Sequence, residues 1–388
     1  MRRSKFLIFG APRFFQEEIK EMLETLRSGW WGTGPKVLKF ESQFSKYSHA
    51  KYAVAVNSAT AAMHLGLNSL GIGPGDEVIT TPLTFVSTAN VIIHCGAKPV
   101  FADVNKLTGN IDPKEIIKKI TKKTKAIIPV HLHGRPCPMD EIVAIAKQYK
   151  LFVLEDAAHA TEAWYHGKKI GSISDLTAFS FYVTKNVATG EGGMLTTNNK
   201  AWADLARVRR LHGISADAWK RYSSAGYQPY EAVYPGFKYN MMDLQASLGI
   251  HQLKRAKANL KIRNKYWQIY TKAFSQLDGI IPPADDEPNT IHARHLYAIN
   301  LELEKLKITR NQLIDALKAE NIGAGVHFSA LHLHDYYRKT FGFRHGDFPN
   351  AEWIGQRSVS LPFYPHMSQK DLGDVISAVT KIVKRNRR

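Results

Sequence analysis

From residue 51 to about residue 200, short apolar runs alternate with longer amphipathic stretches. Lys51-Tyr52-Ala53-Val54-Ala55-Val56 has strand length and an almost continuous apolar character, Asn57-Ser58-Ala59-Thr60 follows as a helix start, and residues 61–70 supply the helix body. The same alternation predicts strands at 77–80, 98–102, 125–130 and 151–154, and helices at 85–95, 113–120 and 139–149. Branched apolar strands separated by helices and short connections predict an α/β fold, with a mostly parallel sheet covered by helices on both faces. Beyond residue 198 the pattern becomes helical, over 200–211 and 242–274, until Ile281-Pro282-Pro283-Ala284-Asp285-Asp286 breaks it. Strands at 296–303 and 322–328 and helices at 309–319 and 369–383 then predict a smaller α+β unit. The expected organisation is a helical segment over 1–50, a large domain over 51–255 and a small C-terminal domain over 256–388.

Composition narrows the function. The 388 residues are 44% hydrophobic and 22% charged, an ordinary globular balance. No apolar run approaches the roughly 18 residues of a membrane span, so membrane insertion is not expected. Two cysteines, Cys95 and Cys137, make neither a disulfide framework nor a metal-ligand spacing, and they predict small buried thiols in a reducing, cytoplasmic setting. The formal charge of +19 is scattered, with local density at 118–125, at 207–210 and at both ends (Arg2, Arg3; Lys384, Arg385, Arg387, Arg388). No zinc finger, RNA-recognition motif or arginine-rich aromatic platform accompanies it, so nucleic acid is not the expected partner.

Gly32-Thr33-Gly34 and Gly71-Ile72-Gly73 each lack the third glycine of a dinucleotide-binding turn, and no Walker motif, zinc-protease helix or nucleophile elbow is present. The pairs His131/His133 and His332/His334 complete no metal motif and are expected to be neutral hydrogen-bonding residues. What remains fits pyridoxal phosphate, which needs a lysine for a Schiff base, a carboxylate at the pyridine nitrogen, a phosphate cradle and a ring-stacking group. Asp156 lies just past an apolar strand, where open α/β sheets hold ligands, and Lys185 follows 29 positions later, before Gly190-Glu191-Gly192-Gly193. Ser58-Ala59-Thr60 offers a helix N-terminus to a phosphate, although alone it is a helix cap. Phe85, at the next strand-to-helix junction, can stack on a ring, although alone it is core.

With these residues in place the sequence resembles the nucleotide-sugar aminotransferases of the DegT/StrS type, fold type I pyridoxal phosphate enzymes. The matching stretches are Gly29-Trp30-Trp31-Gly32-Thr33-Gly34-Pro35, Asn57-Ser58-Ala59-Thr60-Ala61-Ala62, Pro74-Gly75-Asp76-Glu77-Val78-Ile79-Thr80, Glu155-Asp156-Ala157-Ala158-His159-Ala160, the segment around Lys185-Asn186, and Pro235-Gly236-Phe237-Lys238-Tyr239-Asn240-Met241. Val326-His327-Phe328 and Leu361-Pro362-Phe363-Tyr364-Pro365 continue the match towards the C-terminus. The resemblance implies that Lys185 bonds the cofactor, Asp156 pairs with its ring nitrogen, His159 lies by the ring and Phe85 stacks on it. It implies that Ala59, Thr60 and Ser180 hold the phosphate, that Ser58 and Asn186 also belong to the cofactor site, and that Lys238 or Asn240 reaches in from the second subunit of a homodimer. Gly32, Thr33, Gly34, Lys238 and His327 would border the sugar nucleotide.

The implied activity is transfer of an amino group from L-glutamate to a nucleotide-diphosphate keto-sugar, giving 2-oxoglutarate. The stretch Leu211-His212-Gly213-Ile214-Ser215 with Tyr234-Pro235-Gly236 looks most like members that aminate C4 of a 4-keto sugar, with a C3-keto substrate as the open alternative. Relatives with histidine at the lysine position are sugar dehydratases, which Lys185 disfavours; a regulator that kept the fold is the non-enzymatic alternative.

Overall fold

The computed structural model describes residues 3–214 and 231–388; Arg2 and Ser215, both named above, lie outside them. Two helices open the chain, α1 (Gln16–Ser28) and α2 (Pro35–Ser48). Strands β1 (Tyr52–Val56), β2 (Glu77–Thr80), β3 (Lys98–Phe101), β4 (Thr124–Ile128) and β5 (Phe152–Asp156) then alternate with α3 (Ala59–Ser69), α4 (Val86–His94), α5 (Pro113–Lys119) and α6 (Met139–Tyr149). Short β6 (Trp164–Tyr165) and β7 (Lys168–Lys169) precede β8 (Leu176–Ser180), β9 (Gly193–Thr197), α7 (Lys200–Arg209) and α8 (Asp243–Phe274). The seven-stranded sheet has the order β1-β9-β8-β5-β4-β2-β3, and β9 alone runs opposite to the others.

Its strands are buried on both faces, and the period of two sends alternate residues to opposite layers. Val54 and Val56 meet α3, α4 and α7, whereas Ala53 and Ala55 meet α2, α5, α6 and the first half of α8. The apolar-run signal did not predict β8 and β9, because much of each is threonine or serine. Burial is tolerable because their hydroxyls are satisfied: Thr177 donates to Glu155, Thr196 to the Gly171 carbonyl and Thr197 to the Asp175 carbonyl.

A second core forms around the antiparallel sheet of β10 (Ile280–Ile281), β12 (Tyr297–Leu301) and β13 (Ser358–Leu361), covered by α9 (Arg310–Ala319) and α12 (Gln369–Arg385); β11 (Thr290–Ile291) pairs instead with β6. Helix α8 belongs to both cores, through Ala246, Ile250 and Leu253 in one and Tyr266, Tyr270 and Phe274 in the other. The expected boundary at residue 255 therefore falls inside a continuous helix. Helices α10 (Asp335–Phe341) and α11 (Pro349–Arg357), which were not predicted, return to the large sheet and pack Tyr337 and Ile354 with Leu83 and Phe101. The strand expected at 322–328 does not form: Ile322 bridges Leu7 and Gly325 bridges Ser360, one residue each, because the N-terminal segment crosses there. Cys137 is buried, but Cys95 is only partly so, because it closes α4 beside the Gly96 turn.

Part of the basic excess is internal. Arg210 is buried against Glu41 and the Ala55 carbonyl, Arg209 bonds Asn68 and Arg207 pairs with Asp204. The lysines of 118–125 lie instead on α5 and the turn into β4, at the end of the sheet opposite Asp156. No helix among the described residues is long and apolar enough to cross a membrane.

Candidate active site

Asp156 is the last residue of β5 rather than a residue beyond it, flanked by β4 and β8 at the C-terminal edge of the sheet. Its Oδ2 accepts a hydrogen bond from Thr88 Oγ1 at 2.8 Å and its Oδ1 accepts from the Ala158 N–H at 3.1 Å. Thr88 is in turn bonded to Thr84, Oγ1 to Oγ1, at 2.9 Å. Burial pushes the Asp156 carboxyl above its usual value, against the lowering effect of these donors and of the nearby Lys185 charge.

Lys185 stands on the loop joining β8 to β9. Phe181 anchors this loop: its N–H donates to the Gly192 carbonyl and its ring is fully buried against Phe40 and Phe44. Burial brings the lysine amine down to about 8, with Asp156 pulling the other way. A neutral amine is the reactive form, and its fraction rises with pH. Capture of pyridoxal phosphate by the apo-protein is therefore expected to accelerate through a midpoint near pH 8, and one unit below it to run about tenfold slower than at the high-pH plateau. Stopped-flow absorbance measures this; a midpoint at an ordinary lysine value, about 10.4, would contradict it.

A cavity of about 480 Å³ brings Ser58, Ala59, Thr60, Phe85, Asp156, His159, Ser180, Lys185 and His327 together. Ser58 caps α3 by accepting from the Ala61 N–H at 3.1 Å, so the α3 N-terminus faces the cleft with its partial positive charge. Gly193 makes the close approach of β9 possible, since a Cβ there would lie 2.4 Å from the Ser58 carbonyl. Phe85 is 57% exposed and so is not core; its ring faces Phe328 at 6.1 Å.

His159 stacks on Phe328 at 5.9 Å, and its Nδ1 accepts the His133 N–H at 3.2 Å, so its proton sits on Nε2. Burial holds His159 and His295 well below the usual histidine value, and takes His133 to about 4 and His327 to about 3. All four are neutral at pH 7. His133 Nε2 donates to the His327 carbonyl at 2.7 Å, whereas His131 bonds Glu155 and His332 bonds Glu352.

Six predicted site residues do not line this cavity. Asn186 turns into the wall, where Nδ2 donates to Glu162 and the Ala293 carbonyl and Oδ1 accepts from His295. Its amide is fully used there, so in this structure it does not reach the cofactor cavity it was expected to join. Gly32, Thr33 and Gly34 gather elsewhere with Asn240, whose Nδ2 donates to Thr33 Oγ1 at 2.8 Å. Asp243 fixes that cluster by accepting the N–H groups of Gly34, Lys36 and Val37 at the start of α2. Lys238 is exposed beside Asn57, which donates to its carbonyl. Thr88, His133, His295 and Phe328 are the site residues the sequence did not reveal. Only Thr88 had a local signal, one helical turn after Phe85 and Thr84.

A family model for the DegT/DnrJ/EryC1/StrS aminotransferase family matches residues 12–380. This chain belongs to that family. It is 54% identical over 384 residues to the spore coat polysaccharide biosynthesis protein SpsC of Bacillus subtilis, covering 99% of this chain and 98% of SpsC. Among solved structures it superposes on the putative sugar aminotransferase Spr1654 from Streptococcus pneumoniae in its PMP form with a TM-score of 0.92, at 33% identity and over 98% and 99% of the two chains. Helicobacter pylori PseC, an aminotransferase involved in the biosynthesis of pseudoaminic acid, matches with a TM-score of 0.90 at 26% identity, over 98% and 100% of the chains.

The protein is thus a pyridoxal phosphate-dependent aminotransferase of the sugar aminotransferase family, with the fold type I architecture. The donor set fits the cofactor. A buried carboxylate raised by its burial and a lysine brought down to about 8 share one cleft with a helix N-terminus, matching a cationic ring nitrogen, an aldehyde and a phosphate.

Proposed function

We propose that the enzyme moves an amino group from L-glutamate to a nucleotide-diphosphate keto-sugar, at C4 of the sugar, releasing 2-oxoglutarate. The observation that carries this reading is the convergence of Lys185, Asp156 and the α3 N-terminus in one cavity. When bound, pyridoxal phosphate supplies the electron sink for the carbanion at the substrate carbon. Asp156 holds the ring nitrogen protonated, Thr88 and the Ala158 N–H keep that carboxylate oriented, and Ala59, Thr60, Ser58 and Ser180 hold the phosphate. Lys185 Nζ would be the base that takes the proton from the donor's α carbon and carries it during the transfer. With the cofactor bound, His159, with its proton on Nε2, would lie by the ring and Phe85 would stack on it. The sugar of the acceptor lies by His327, whose Nδ1 is bonded to Ser360 Oγ at 3.0 Å and whose ring stacks on Phe9.

The reading includes a cytoplasmic homodimer in which Gly32, Thr33, Gly34 and Lys238 or Asn240 serve the partner's cavity. Two observations support it. That cluster does not line its own chain's cavity, and exposed apolar side chains crowd the same region: Phe14, Leu23, Leu26, Trp31, Leu38 and Met242. A nucleotide-activated sugar puts the reaction in the cytoplasm. The direct test is spectroscopic. L-Glutamate should bleach the yellow holoprotein, and one member of a panel of nucleotide keto-sugars should restore the colour while gaining an amine detectable by mass spectrometry. A holoprotein unchanged by every amino acid would exclude the proposal.

A further inference from the structure

Resting on the transamination reading, we infer that a second cavity beside Lys185 receives the distal carboxylate of a dicarboxylic amino donor, with Arg13 as the residue that selects it. The cofactor cavity is poor in positive charge: Lys185 is the sole lysine or arginine among its described lining residues, and His159 and His327 are neutral. Asp156 and Glu191 add negative charge to its wall. A donor carrying two carboxylates needs another cation within reach of the reacting amine.

The adjoining cavity supplies one. It encloses about 230 Å³ and shares Thr184 and Lys185 with the first; Arg263, which is paired with Glu162, lines it, as do Arg13 and Arg255 with the polar groups of Gln252 and Asn259. The two guanidinium groups lie over the Phe15 ring, at 4.5 and 4.6 Å from its centroid. They differ in how they are compensated. Arg255 pairs with Glu18, a carboxylate buried to 1% exposure, whereas Arg13 has no carboxylate partner among the described residues. Gln252 fixes the Arg13 main chain by donating to its carbonyl at 2.7 Å and reaches Glu18 at 2.9 Å. The cavity therefore presents an uncompensated, always-charged planar donor on a held backbone, suited to a carboxylate. A monocarboxylic donor would leave it unused.

Arg13 is exposed, has no carboxylate partner among the described residues and rests on the Phe15 ring, so Arg13→Met should leave the fold intact. With holoprotein, the glutamate concentration that half-saturates bleaching should rise about tenfold in Arg13→Met, the loss falling on half-saturation rather than maximal rate. L-Alanine, lacking the second carboxylate, should respond alike in both proteins, so the preference for glutamate collapses by the same factor. Glutarate, which has no amine to transfer, should bind the wild-type protein in calorimetry and bind Arg13→Met about tenfold more weakly. Equal glutamate half-saturation and equal glutarate affinity in the two proteins would overturn the assignment. If no amino acid bleaches the wild-type protein, the transamination reading fails, and glutarate binding still decides whether the cavity takes a dicarboxylate.

Discussion

Lys185→Ala is expected to lose the visible absorption of the bound cofactor and about ten-thousandfold or more of the activity together, because one amine serves as the covalent anchor and as the proton carrier. The fold should not suffer. Burial brings the amine down to about 8, so at pH 7 keeping it charged in the folded protein costs stability that alanine does not incur. Its folded value lies below the unfolded one, so this cost fades as pH rises from about 8 towards about 10.4, where the unfolded lysine also loses its proton. The melting temperature of the alanine variant, followed by circular dichroism at pH 7, should be equal to or above that of the apo-wild type. Turnover in a Lys185→Ala preparation of verified mass would remove the lysine from the mechanism.

Asp156→Asn should separate rate from stability in the same direction. Asparagine can accept from the Ala158 N–H with Oδ1 and donate from Nδ2 to the Thr88 hydroxyl, so the geometry under the ring survives while the charge is lost. Loss of a fixed charge aimed at the reacting system is expected to lower turnover about a hundred- to a thousandfold. Because burial raises the Asp156 carboxyl, its ionisation costs the folded apo-protein stability: the cost is absent at low pH, sets in as pH rises through the unfolded value of about 3.9 and is complete once pH passes the raised native value. The asparagine variant should thus melt no lower than wild type at pH 7. Asp156 also holds the Lys185 amine up, so its neutralisation should shift the midpoint of cofactor capture to lower pH. A variant with wild-type turnover, or one with an unmoved capture midpoint, would contradict the proposed pairing.

The position of His327 shows why such a site is only half visible before folding. Its ring is held by Ser360, 33 residues away, and by Phe9 from the opposite end of the chain, and its carbonyl receives His133. Asn186 shows the converse: it sits next to Lys185 in sequence, yet its amide is spent on Glu162, Ala293 and His295. Adjacency in sequence carries no information about which way a loop side chain points. Nor can periodicity detect β8 and β9, whose buried hydroxyls look polar until their partners are known.

The sequence by itself determined the alternation of strand and helix that builds the parallel sheet, the place of Asp156 at the end of one strand, the helix start at Ser58 and the identity of Lys185. Each of these depends on contacts within a few residues or on a period of two or 3.6. The tertiary structure decided what gives those residues their chemistry. It brought Thr88 under Asp156 across 68 positions, set the His159 tautomer from His133, closed a lysine and a carboxylate into one cleft, and sent Thr33 and Asn240 elsewhere, joined across 207 positions. The physical reason is that pKa shifts and hydrogen-bond partners are set by burial and distance in space, and neither exists until the chain has closed on itself.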